Sequence, residues 1–167
     1  MKPTEHTGYT LLEVTISFGL LLLLITLTLG MSRYVTNANE RARVQAELFH
    51  QATVSMEFIA AHVDTAYRLE PIDAYPLPRG LFFQRRALDG KLDTTQILFR
   101  ETTGRLYLGG FGNEISRYLH DFQLEVRDGL LFVHLTTMGT ITHSPVRVAP
   151  IQLSRVFDIS TKFSPMD

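Results

Sequence analysis

GYTLLEVTISFGLLLLLITLTLG, residues 8–30, carries one charge, Glu13, in an otherwise uncharged and mostly apolar run. From Tyr9 to Met31 there are 23 residues, and as a helix they span roughly 34 Å against a hydrocarbon core of about 30 Å. Thirteen residues between Leu11 and Leu29 are Leu, Ile, Val or Phe. At about −0.5 kcal/mol each near a bilayer centre they outweigh one acidic residue at about +3 kcal/mol. Membrane insertion is therefore expected over residues 9–31. A secretory signal fits poorly, because the apolar run is long and Met31-Ser32-Arg33-Tyr34 is a poor cleavage site. A buried helix of a soluble protein fits worse, since leucines cover every face.

Working outward, apolar residues recur beyond Met31 at Tyr34, Val35, Ala38, Ala42, Leu48, Phe49, Ala52, Met56, Ile59, Val63, Ala66 and Tyr67. Spacings of three and four predict one helical stripe over residues 32–69, with Glu40, Arg41, Arg43, Glu47 and Glu57 mostly off it. Pro71 and the run EPIDAYPLPRG end the helix. Gly30 is the weak point of the helix at the expected membrane exit, costing about 1 kcal/mol against Ala, and a bend is expected there.

Residues 70–167 are expected to form the β domain, and from Gly80 the pattern changes to period two and turn punctuation. LFFQRRAL and TTQILFRE read as strands around ALDGKLD, and ETTGRLYLGG reads as a further hairpin. DFQLEVRDGLLFVHLTT is the clearest hairpin, turning at Asp128-Gly129. PVRVAPIQLSRVFDIS adds one or two strands, with Pro145 and Pro150 arguing for an edge. The expected fold is α+β: a long N-terminal helix, transmembrane in its first half, packed by its second half on an antiparallel β-sheet domain.

Composition narrows the chemistry. The net charge is −1, and Glu70–Asp167 holds 11 Lys/Arg against 11 Asp/Glu, so no bulk field points to nucleic acid or anionic lipid. The absence of cysteine excludes disulfides and thiolate sites. His62 and Asp64 lie two apart on a helix and diverge, His120 and Asp121 point apart, and His134 and His143 sit in strand-like contexts, so no metal site is expected. Arg79, Arg85, Arg86, Lys91, Arg100 and Arg105 form a basic region near Phe82 and Phe83. Asp89, Asp93 and Glu101 interrupt it, so a nucleic-acid partner has little support. Gly109-Gly110-Phe111-Gly112 lacks the strand-to-helix setting of a phosphate loop. No catalytic motif or cofactor fingerprint is present, and no enzymatic role is expected.

The segment Gly8-Tyr9-Thr10-Leu11-Leu12-Glu13-Val14 resembles the processing and assembly motif of type IV pilin-like proteins. The resemblance covers about 25 residues and implies a leader, residues 1–8, removed by prepilin peptidase between Gly8 and Tyr9. Tyr9 would become the N-methylated first residue, and Glu13 the fifth of the mature chain. That position sets the axial stagger of packed helices in this family. Major pilins often carry proline about where Gly30 stands, and glycine could loosen the helix in its place. The leader MKPTEHTG is less basic than most family leaders, with Lys2 its one lysine. The pattern of helix followed by strands is most similar to minor subunits of the J-, W- and competence F-like types.

What the resemblance implies is a structural minor subunit of a type IV pilus, type II secretion or competence pseudopilus. Its partners would be other pilin or pseudopilin subunits through the N-terminal helix, prepilin peptidase and methyltransferase, and membrane-embedded assembly machinery. It would sit in the bacterial cytoplasmic membrane with its C-terminal domain outside. Charge alone leaves orientation open, since Lys2 precedes the apolar run and Arg33, Arg41 and Arg43 follow it. The alternative is an uncleaved single-pass membrane protein with an exported binding domain. A lone carboxylate in lipid needs a partner. Cleavage after Gly8 would supply an amine at Tyr9, one turn away.

Overall fold

The run of helix-favouring, proline-free sequence after Tyr9 forms α1, Leu11–Thr65, 55 residues long. The computed structural model describes residues 10–72, 79–86, 90–110 and 112–162. The chain divides into two units between Glu40 and Arg41. In the first, α1 is helical throughout, and every described residue from Thr10 to Asn39 is exposed.

The second unit is α+β. Here α1 buries Val44, Leu48, Ala52, Ser55, Met56, Ile59, Ala60 and Val63, a lane of three- and four-residue steps. Of the expected stripe, Leu48, Ala52, Met56, Ile59 and Val63 are thus buried, while Phe49 and the members before Leu48 are not. Ala38 and Ala42 are exposed, and Tyr34 is 75% and Phe49 54% exposed. Burial begins at Val44.

The helix ends at Thr65, four residues before the expected limit, and the backbone turns straight into a strand. The Tyr67 N–H donates to the Gln84 carbonyl at 2.7 Å, and Leu69 reaches the core from β1 rather than from the helix. The last helical carbonyls, which have no partner within a helix, are met by a distant cation. Lys162 Nζ donates to Val63 O at 2.9 Å and to Asp64 O at 2.8 Å. A lysine there also complements the negative end of the helix.

Among the described residues eight strands follow: β1 Arg68–Ile72, β2 Gly80–Arg86, β3 Leu92–Arg100, β4 Arg105–Leu108, β5 Glu114–Ser116, β6 Leu119–Arg127, β7 Leu130–Thr137 and β8 Gln152–Asp158. They make two antiparallel sheets, β1-β2-β3-β4-β5 and β6-β7-β8, rather than one. The break falls between Ser116 and Leu119, where Tyr118 takes φ of 66° and redirects the chain. The expected hairpins form, and PVRVAPIQLSRVFDIS yields one strand, β8, at a sheet edge. Pro71 lies in β1, also an edge strand, where its missing N–H is tolerated. Asp128 and Gly129 have φ of 53° and 76°, the two positive values a two-residue turn between β6 and β7 requires.

Alternation puts Leu81, Phe83, Ile97, Phe99 and Leu106 of the first sheet and Phe122, Leu131, Val133, Leu135 and Phe157 of the second into one core with Met56, Ile59 and Val63 of α1. Phe99 and Phe122 meet edge-to-face at 6.0 Å between ring centres, a favourable geometry. One buried polar contact crosses from α1 to β5: the Ser55 and Ser116 hydroxyls are 2.6 Å apart. Ser55 Oγ also donates to the Gln51 carbonyl at 2.6 Å.

Candidate functional site

Gly8 and Tyr9, the expected cleavage and methylation positions, lie outside the described residues. The description starts at Thr10, which caps α1. Its carbonyl accepts the N–H of Glu13 at 3.0 Å and of Val14 at 3.2 Å. Its hydroxyl accepts the Glu13 N–H at 3.3 Å, as N-cap threonines do. Thr10-Leu11-Leu12-Glu13 has the S/T-x-x-E spacing of a capping box. That spacing was available in the sequence. Glu13 lies in the first turn of α1, where a carboxylate faces the positive end of the helix. No ion pair to Glu13 is seen among the described residues.

From Leu11 onward α1 is long and apolar enough to cross a membrane. Its threonines are arranged for such a setting. Thr15 Oγ1 donates to Leu11 O at 2.8 Å, Thr26 Oγ1 to Leu23 O at 2.8 Å, Thr28 Oγ1 to Leu24 O at 2.8 Å and Thr36 Oγ1 to Ser32 O at 2.9 Å. Each hydroxyl is satisfied within the helix, which matters where no water is available. Gly30 is helical, with nothing within 4 Å of where a Cβ would stand. No close packing within the chain demands glycine there.

The other sequence candidates disperse over the β domain. The His62 ring stacks on Phe58 at 4.2 Å and tilts on Phe83 at 5.2 Å, while its Nδ1 lies 2.8 Å from the Phe58 carbonyl. It is a half-buried packing residue, and Asp64 is exposed. His134 Nδ1 shares a 2.8 Å hydrogen bond with Ser154 Oγ across β7 and β8. No group of three or more His, Asp or Glu among the described residues could hold a metal ion.

The basic region is threaded with carboxylates. Arg79 pairs with Asp121 at 3.2 Å, Arg85 with Asp93 at 3.6 Å and Arg105 with Glu114 at 2.9 Å. Asp89 lies outside the described residues. Gly109 and Gly110 link β4 to β5, and the Gly109 N–H is taken by Gln96 O at 2.7 Å, so it does not face a ligand. Among the described residues Asp158 has a clear perturbation. The Ser160 N–H and then its hydroxyl hold this exposed carboxyl below its ordinary value.

The arrangement offers no cluster of reacting side chains among the described residues. What it offers is a wholly exposed, uniformly apolar helical segment with a capped start and one carboxylate. Comparison of the chain with protein-family models, with curated proteins and with solved structures finds no match.

Proposed function

We propose that the chain is a structural minor subunit of a type IV pilus, type II secretion or competence pseudopilus. One observation carries this reading. The Gly8–Glu13 motif directly precedes a helical segment that is apolar on all faces and has nothing of its own unit to pack against. Such a surface calls for lipid, for neighbouring helices, or for each in turn.

On this reading prepilin peptidase cuts after Gly8 and the new Tyr9 amine is methylated. Glu13 then meets the amine of an adjacent subunit, which relieves a carboxylate held in a low-dielectric setting and fixes register as polar residues do in coiled-coil seams. Residues 9–31 anchor the chain in the bacterial cytoplasmic membrane until assembly, with the C-terminal domain outside.

Intact-mass measurement tests the processing step. The expected product begins at methylated Tyr9. Retention of Met1 in cells that process other prepilins would overturn the proposal and leave an uncleaved single-pass protein with an exported binding domain. The register step has its own test. Glu13→Gln keeps a residue that serves the capping box but removes the charge. It should leave the inserted monomer intact and lower recovery in sheared filaments at least tenfold. Unchanged recovery would assign Glu13 to helix capping alone.

A further inference from the structure

The two sheets have four edges, and three are blunted. β1 carries Pro71, and β1 and β6 run close to each other, which leaves little room for a new strand between them. β5 is three residues long, and Ser55 and Gln51 of α1 hold it through Ser116 and the Arg117 N–H. β8 differs. It has seven residues, contains neither proline nor lysine, and pairs only with β7 among the described residues. Edges of this kind template the addition of another strand.

Hydrogen-bond parity identifies the groups left over. The Thr137 N–H donates to Ile151 O at 2.9 Å, and the Ile159 N–H donates to Gly129 O at 2.8 Å. With Leu131 opposite Phe157 and Val133 opposite Arg155, the odd-numbered residues of β8 bond to β7. The backbone N–H and C=O of Gln152, Ser154, Val156 and Asp158 therefore point outward. All four residues are exposed, Val156 at 50%.

We propose that β8 is a self-pairing edge, through which two copies of this chain join antiparallel about a two-fold axis at Val156. Side-chain complementarity selects both the occupant and the register. Centring on Ser154 sets Pro150, which has no N–H, opposite Asp158. Centring on Arg155 sets two guanidinium groups opposite each other, and centring on Asp158 sets two carboxylates opposite, both unfavourable. Centring on Phe157 puts apolar Val156 against Asp158.

Centring on Val156 has none of these faults. Val156 meets itself, and the Ser154 hydroxyl, bonded to His134, faces the Asp158 carboxylate, bonded to Ser160. Arg155, held by Glu57 at 3.2 Å and lying over Phe157 of its own strand at 5.2 Å, stands opposite the partner's Phe157 with no like charge against it. Val156–Val156 and the two Ser154–Asp158 pairs each exchange backbone hydrogen bonds. The result is an isologous interface joining two three-stranded sheets.

The cysteine-free chain makes the test clean. Single cysteines are introduced into the full chain, which is oxidised in detergent micelles. Cα atoms of a hydrogen-bonded antiparallel pair stand about 5.5 Å apart, within disulfide reach. Val156→Cys should give a covalent homodimer. Ser154→Cys alone should not, because its copies are offset by four residues, about 13 Å. Ser154→Cys mixed with Asp158→Cys should cross-link, and adding Val156→Lys to both should reduce that yield at least tenfold without changing the circular dichroism. Equal cross-linking by Val156→Cys and Ser154→Cys, no dimer from Val156→Cys, or an adduct formed only with another protein would each overturn the proposal.

Discussion

Between Leu11 and Asn39 every residue of α1 is exposed, whereas between Val44 and Val63 eight side chains of the same helix are buried on one face. Both parts are rich in apolar residues, and the difference lies in distribution. In the second part Arg41, Arg43, Glu47 and Glu57 confine the apolar surface to a lane that the sheets can cover. In the first part leucines occupy all faces, and no one-sided partner could cover them. A helix that is hydrophobic all round suits a buried or membrane setting, and the first part of α1 is long and apolar enough to cross a membrane.

The same truncation made in both parts of α1 should have very different effects. Leu48 is wholly buried, so Leu48→Ala should cost the β domain about 2–5 kcal/mol. Leu22→Ala should leave the domain's urea midpoint unchanged, measured on the full chain in micelles by circular dichroism. A shift of similar size from both would mean that the domain rests on the exposed segment. The next effect concerns the polar contact in the packed part. Ser55→Ala leaves the buried Ser116 hydroxyl without its partner and should cost about 1–2 kcal/mol. The double change with Ser116→Ala should cost less than the sum of the single changes, which a double-mutant cycle reads directly. Smallest is Thr10→Ala at the start of the exposed part. It removes the cap and should cost about 1 kcal/mol locally, seen as faster amide exchange in the first turn of α1 with the domain midpoint unmoved.

Much of this architecture could be read before the structure. The lane from Leu48 to Val63, the hairpin at Asp128-Gly129 and the alternation from Gly80 onward follow from local rules, whereas β1 lies in a stretch that reads as helix end and loop. The upper limit of the buried lane does not, because a three-four stripe looks the same whether or not anything covers it. Tyr34 and Val35 fit the pattern and are exposed. The division into two sheets was equally hidden, since strand alternation is the same in one sheet or two. It rests on Tyr118, a non-glycine residue at φ of 66°. Ser55 with Ser116 and Lys162 with the end of α1 join residues 61 and 99 positions apart, a range that no local pattern spans. Of the candidate site, the Thr10–Glu13 spacing was legible as a cap, while Gly8 and Tyr9 rest on the sequence alone.

Lys162 has a consequence for the order of events in folding. Besides its side-chain bonds to the end of α1, its carbonyl accepts the Leu69 N–H at 3.2 Å, fastening the start of β1. The junction between helix and first strand, made early in synthesis and joined to β2 through Tyr67 and Gln84, gains its last fastenings only when residue 162 has emerged. Contacts of such long sequence separation form late and slow the overall reaction. A nascent chain of this protein should thus gain protease protection around Ala66 and Tyr67 in a last step that requires residue 162 to have emerged.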